Sequence, residues 1–283
     1  MTSLTDLKEE QVQLWNGAMG KTWVEAQAFI DGMLRPLEEL IVATVSSLSP
    51  KNILDVGCGN GTTTLALAHV VAPQGRCNGI DISAPMIENA RSRASSSSSD
   101  VAAEFICADA SDYLFGDIKF DVFTSRFGVM FFADPVAAFT NLRSAAAHQA
   151  QLAFLVWRAP EENDFLTTAQ RTAVPLLPQL SARESTSPGA FALANPDHVH
   201  SILTTSGWTE ITLHPVDQQC TFASDDLDLF LTKLAPIGHD IEALDEDVRA
   251  AIAQAIRSAY EQYIHGDEVH FKASCWLIRA HID

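Results

Sequence analysis

The chain has 283 residues, 47% of them hydrophobic and 19% charged, with 36 acids against 18 bases and a net charge of −18. That balance belongs to a folded globular chain with a sizeable core, not a disordered one. It excludes a nucleic-acid partner, because phosphate backbones are held by clustered Lys and Arg and no such cluster occurs; the acidity reads as a solubilising surface.

The start, "MTSLTDLKEEQVQLW", carries acids where a secretory leader carries bases and an apolar run. No apolar stretch approaches the ~18 residues of a membrane span. A cytoplasmic protein without membrane insertion is expected. Residues 8–46 follow as helix, with Val12, Trp15, Met19, Trp23, Phe29, Leu34 and Leu37 at roughly helical spacing, broken into two or three pieces by Gly17, Gly20 and Pro36. An alternating run comes next. Strand 53–57 leads to helix 62–71, strand 76–81 to helix 84–94, and strand 103–108 to an irregular link; strand 120–126 then leads to helix 135–147 and strand 151–157. Short apolar strands separated by amphipathic helices predict a parallel sheet covered on both faces. The serine run from 95 to 99 reads as a surface loop.

After Trp157 the alternation stops, and Pro160, Pro175, Pro178, Pro188 and Gly189 mark an irregular excursion over 158–195 with a short helix near 164–177. "NPDHVHSILTTSGW" restarts the pattern, with Asn195 as cap, Pro196 in the first turn and Gly207 at the end. A strand at 208–216 follows. The stretch 224–268 is helical and acidic and precedes a last strand at 270–280, so it reads as a lid inserted at one end of the sheet. The predicted organisation is an N-terminal helical cap (1–48), a core (49–223), the lid (224–268) and the core's final strand (269–283). Cys58, Cys77, Cys107, Cys220 and Cys275 are odd in number and contain no CxxC pair, so neither a disulfide framework nor a metal site is expected.

The candidate site begins at "ILDVGCGNG". Gly57, Gly59 and Gly61 form G-x-G-x-G, which is neither the dinucleotide spacing nor the Walker pattern. Glycines suit a sharp turn that a ligand approaches closely, and the helix starting at Thr62 offers free N–H groups to a carboxylate. Asp55, a carboxylate in an apolar strand, either braces that loop or reaches a ligand's ammonium through water. Asp81 closes "RCNGID", 24 residues after Gly57, where a carboxylate accepts from both hydroxyls of a ribose. In "FICADASDYL", Asp109 and the N–H of Ala110 supply the acceptor and donor that an adenine edge needs, with Asp112 a weaker alternative.

These residues resemble the class I S-adenosylmethionine-dependent methyltransferases over about residues 50–157. "ILDVGCGNG", "GIDIS", "CADA" and "FDVFTSRFGVMFFADP" are similar to the glycine, ribose, adenine and fourth-strand motifs, and "LAFLVW" to the fifth strand. The resemblance implies an α/β, Rossmann-like fold: a seven-stranded sheet with an antiparallel last strand, flanked by helices. It implies S-adenosylmethionine as cofactor, the Gly57–Cys58–Gly59–Gly61 loop near its methionine, Asp81 on the ribose, Asp109 and Ala110 on the adenine, and Ile82 and Met86 flanking the base. The small-molecule branch, similar to ubiquinone and menaquinone methyltransferases, looks nearest. The fourth strand lacks the Asn/Asp-Pro-Pro-Tyr signature, which argues against methylation of nucleic-acid adenine or protein glutamine.

Ser125, Arg126 and Phe127 follow the fourth strand and are expected to border the methyl-transfer site. Arg126 either orients an incoming acid or phenolate or pairs with a neighbouring carboxylate. Phe131 and Phe132 line the acceptor pocket or belong to the core, and Trp15 and Trp23 fold over the cofactor or pack structurally. No catalytic residue is assigned, since none of His198, His200, His265, His270 or Tyr113 has a spacing that selects it. The expected activity is methyl transfer to a small organic acceptor. A non-catalytic S-adenosylmethionine sensor or carrier is the alternative, and an NAD-dependent oxidoreductase is disfavoured by the glycine spacing.

Overall fold

The five residues Asn52–Val56 are apolar but for the first and Asp55, and four of them are fully buried, which makes them a central strand. In the computed structural model, which describes residues 3–71, 73–96, 102–177, 188–235 and 245–282, this is β1. The other strands are β2 (Arg76–Asp81), β3 (Ala103–Cys107), β4 (Phe120–Arg126), β5 (Ala146–Trp157), β6 (Thr209–Ala223) and β7 (Glu268–His281). Their order is β3-β2-β1-β4-β5-β7-β6, with the two residues Ile264–His265 pairing beside the start of β7. β1 to β5 run parallel, and β7 runs antiparallel between β5 and β6. This is the Rossmann-like methyltransferase architecture, and the chain reverses its direction of winding between β1 and β4, where ligands of such sheets bind.

Helices α4 (Arg35–Ser46), α5 (Thr62–Val71) and α6 (Ala84–Ser96) precede or follow β1 and β2, while α7 (Pro135–Ser144) and α9 (Pro196–Thr205) pack on each other. α7 is capped by Asp134, whose carboxylate accepts from the Ala137 N–H; α9 is capped by Asn195, with Pro196 in its first turn. Trp208, fully buried, donates its indole N–H to the Phe139 carbonyl at 3.1 Å and so pins the end of α9 to α7.

Several expected boundaries are corrected. The N-terminal stretch is four helices, α1 (Leu4–Asn16), α2 (Ala18–Glu25), α3 (Gln27–Met33) and α4, with breaks at Gly17, Ala26 and Leu34. Gly20 sits inside α2 because a Cβ there would lie 1.9 Å from the Trp15 carbonyl oxygen; Pro36 starts α4, where its missing N–H costs nothing. α7 ends three residues early, and β5 begins at Ala146. β6 runs on to Ala223, seven residues past its expected end, because β7 supplies partners along its whole length; its Pro215 is tolerated on an edge strand.

Within the excursion lies α8 (Asp164–Ala173). The described parts of 224–268, short turns over Ser224–Leu234 and α10 (Glu246–Tyr260), pack with α8 around Phe165, whose ring meets Phe222, Phe230, Tyr260, Tyr263 and Phe271. The serine run from 97 onward, Pro178 and residues 236–244 of the expected lid lie outside the described residues. No helix among the described residues is long and apolar enough to cross a membrane, and no cluster of His, Cys, Asp and Glu among them can hold a metal ion.

Candidate functional site

The turn after β1 is built on two buried acids. The Gly57 N–H and the Cys58 N–H both donate to the Ile80 carbonyl, at 2.8 and 3.2 Å, tying the turn to β2. Asp81 at the end of β2 accepts from the Gly59 N–H at 2.8 Å through one oxygen and from the Ser83 N–H at 2.8 Å through the other. Burial pushes its carboxyl up, and those N–H donors pull it back. Asp55 accepts from the Thr64 hydroxyl at 2.6 Å; burial pushes it up to about 6 despite that bond and the nearby Arg126 charge. That bond ties β1 to α5, while the Gly57, Cys58 and Gly59 N–H groups of the loop go to Ile80 and Asp81.

All three glycines have φ in the left-handed region, +67° at Gly57, +53° at Gly59 and +79° at Gly61. They serve different neighbours. A Cβ on Gly57 would meet the Gly128 Cα at 2.5 Å; one on Gly61 would meet the Phe105 ring at 2.8 Å and Ala90 at 2.9 Å. Cys58 points beneath the loop towards Gly79 and Phe105, and burial holds its thiol far above the usual range, so it is no nucleophile.

The turn after β4 lies against the first. Ser125, buried, accepts through its hydroxyl from the Gly128 and Val129 N–H groups at 3.1 and 3.3 Å. Phe127 is held at φ +70°, uncommon for a residue with a Cβ, and its ring stacks on Trp157 at 4.2 Å. Arg126 turns to the other side. Its Nε donates to the Thr63 hydroxyl at 3.2 Å, and the carboxylates that face it are Glu38, Asp31 and Asp55; burial lowers its pKa.

Between these turns and α1 lies a cavity of about 360 Å³. Of the residues singled out from the sequence, Trp15, Gly57, Ile82, Asp109, Ala110, Asp112, Phe131 and Phe132 line it; Gly128 does too. Asp55, Cys58, Gly59, Gly61, Asp81, Met86, Trp23, Ser125, Arg126 and Phe127 do not line it. Asp109 accepts from the Ser111 N–H at 2.8 Å, and the Ala110 N–H has no acceptor among the described residues. Neither the histidines named above, Tyr113, nor any described residue of 224–268 lines the cavity.

Sequence reasoning singled out Trp15 on α1 but missed the other residues that this helix brings. Lys8, Gln11 and Trp15 line the cavity from α1. The Asn16 amide donates to the Ile82 carbonyl at 3.1 Å and accepts from the Ala84 N–H at 2.9 Å; the Ser83 hydroxyl donates to the Trp15 carbonyl at 2.6 Å. The Asn60 amide donates to the Trp23 carbonyl at 2.9 Å. The Trp15 ring stands edge-on to Phe131 at 5.0 Å and to Trp23 at 5.8 Å. No local motif marks Lys8 or Asn16, since the partners that tie them to the core, Asp109, Ile82 and Ala84, are tens of residues away.

Comparison with known proteins places the same stretch of chain among methyltransferases. Residues 53–149 match the family described as a methyltransferase domain. A 2-phytyl-1,4-naphtoquinone methyltransferase from a Nostoc species is 28% identical over 157 residues, covering 54% of this chain and 69% of that protein. A demethylmenaquinone methyltransferase from Renibacterium salmoninarum is 23% identical over 222 residues, covering 74% and 88%. Among solved structures, magnesium protoporphyrin IX methyltransferase from Synechocystis with bound S-adenosylhomocysteine superposes with a TM-score of 0.58 at 15% identity, covering 98% of this chain and 100% of that one; this likeness is one of fold.

Proposed function

The chain belongs to the class I S-adenosylmethionine-dependent methyltransferases, and from that premise we propose that the cavity under α1 is the donor site and that the acceptor is a small organic molecule, apolar or aromatic. The observation that carries the donor assignment is the pairing, on the cavity wall, of the Asp109 carboxylate with the unpartnered Ala110 N–H, the acceptor and donor that an adenine edge requires. Gly57 and Gly128 also line the cavity, and the absence of a Cβ on either lets the two turns close on each other there.

In this reading Asp109 and Ala110 take the adenine, Ile82 and Met86 flank it, and Asp81 takes the ribose hydroxyls through lone pairs left free by Gly59 and Ser83. The Gly57–Gly61 turn, flanked by the strand and helix that Asp55 ties together, meets the methionine, with Ser125 shaping the facing turn. Trp15, supported by Trp23, covers the donor from α1. Phe131 borders the acceptor; Phe127 and Arg126 shape that side from outside the cavity. In the same reading the chain divides into a helical cap (1–48), a core (49–223 and 269–283) and an insertion (224–268), whose described parts pack with α8. A cytoplasmic location fits five cysteines that are all free thiols.

The bound donor supplies a methyl group already activated by its sulfonium. What remains for the protein is alignment and exclusion of water, which can be worth roughly 7–11 kcal/mol. The rings of Trp15 and Phe131 exclude water, and the fixed β1 and β4 turns hold position. No base is needed for an acceptor that gives up its proton early. An apolar acceptor fits these rings, and the relatives named for naphthoquinone and menaquinone substrates support the same class. The test is incubation with labelled methyl donor and extracts fractionated by size. Label in a small organic product is the expected result; label only in protein or nucleic acid, or donor binding without transfer to any fraction, would overturn it.

A further inference from the structure

Helix α1 covers one side of the cavity, yet none of its side chains is fully buried, so packing alone holds it weakly. Its C-terminal end is tied by Asn16 and by the Ser83 bond to Trp15. Near its N-terminal end the tie is Lys8. The Lys8 ammonium lies 3.1 Å from Asp109 Oδ2, donates to Asp112, and reaches the Ser111 hydroxyl at 3.5 Å. Lys8 and Asp109 both line the cavity. We propose that Lys8 is a positioning residue for the donor: it turns the Asp109 carboxylate to accept from the exocyclic amino group of adenine, and so couples closure of α1 to reading of the base. The proposal rests on the donor site assigned above.

The chemistry allows both partners at once. An ammonium only donates, so Lys8 cannot compete with Asp109 for the amino hydrogens, and a carboxylate has about four acceptor positions, of which Ser111 and Lys8 use two. With Ser111 fixing one oxygen and Lys8 the other, the plane of the carboxylate is set before the base arrives. Lys8 stays partly exposed, at 37% of its side chain against 19% for Asp109, so the effect is modest.

The experiment is calorimetry on the full chain with S-adenosylhomocysteine and S-inosylhomocysteine, whose base carries a carbonyl where adenine carries the amino group. The wild type is expected to prefer the adenosine compound by about tenfold, since the inosine carbonyl faces the carboxylate without a hydrogen to give. Lys8→Met should weaken the adenosine compound about fivefold while moving the inosine compound less than about twofold, and Lys8→Arg should restore the preference. Equal weakening of both compounds, or none of either, overturns the positioning role while leaving the donor site intact. A wild type that binds both alike overturns the adenine reading of Asp109 and this proposal with it.

Discussion

Gly57 and Gly128 touch backbone to backbone: a Cβ on Gly57 would lie 2.5 Å from the Gly128 Cα, and one on Gly128 would lie 2.6 Å from the Gly57 Cα. The turns after β1 and β4 therefore close on each other only because neither carries a side chain, and both line the cavity. Gly128→Ala should separate them, at a cost of about 1–3 kcal/mol in stability, and should weaken binding of S-adenosylhomocysteine. Thermal melting and calorimetry check both, and unchanged affinity would show that the contact is only a packing detail.

Asp55 makes stability depend on pH with a definite sign. Its carboxyl is pushed up to about 6 in the folded protein from the 3.8 of a free aspartate side chain, because burial disfavours the charge. Between those values the folded state binds the extra proton, so stability falls as pH rises from about 4 to about 6 and the cost persists above. The full effect is about 3 kcal/mol. Asp55→Asn keeps an oxygen for the Thr64 hydroxyl and cannot ionise. Urea melts of both forms across that range should show the variant gaining on the wild type as pH rises, and parallel curves would refute the buried titration.

Asp81 has two duties that a pair of variants separates. Its oxygens hold the Gly59 and Ser83 N–H groups, and the proposed ribose contact uses what remains. Asp81→Ala should lower stability by about 1–3 kcal/mol by orphaning those donors and should abolish donor binding. Asp81→Asn keeps one acceptor, so it should recover much of the stability and little of the affinity. Calorimetry alongside thermal melting reads the two separately; full affinity in Asp81→Asn would remove Asp81 from the ribose.

The parts of this site that sequence made legible are those written in short, contiguous signals. The helix at 62–71 and the strands at 76–81 and 120–126 have the boundaries expected of them, because buried strands and glycine turns leave dense local patterns. β6 is harder, since only two of its residues are buried and its stability comes from pairing with β7, which no local window contains. Gly20 looks like a helix breaker and is a contact point with Trp15. Arg126 is named by its place after β4, yet only the packing of α3 and α4 shows that Asp31 and Glu38 face it. Lys8 carried no signal, because its partner lies 101 residues along the chain.

Trp15 tests whether α1 serves the donor or merely the fold. Its ring lines the cavity and meets Phe131 and Trp23 edge-on, while the bond that anchors α1 there uses the Trp15 carbonyl, which any substitution retains. Trp15→Ala therefore removes the cover and leaves the anchor. Loss of one ring from the donor's wall should weaken S-adenosylhomocysteine by about tenfold, in keeping with 1–2 kcal/mol for an aromatic contact of this size. The ring is only partly buried, so the melting temperature should move by no more than a few degrees. Calorimetry with a parallel melt decides the matter: a large fall in melting temperature with unchanged affinity would make Trp15 a packing residue of the cap, whereas lost affinity in a stable protein makes α1 part of the donor site.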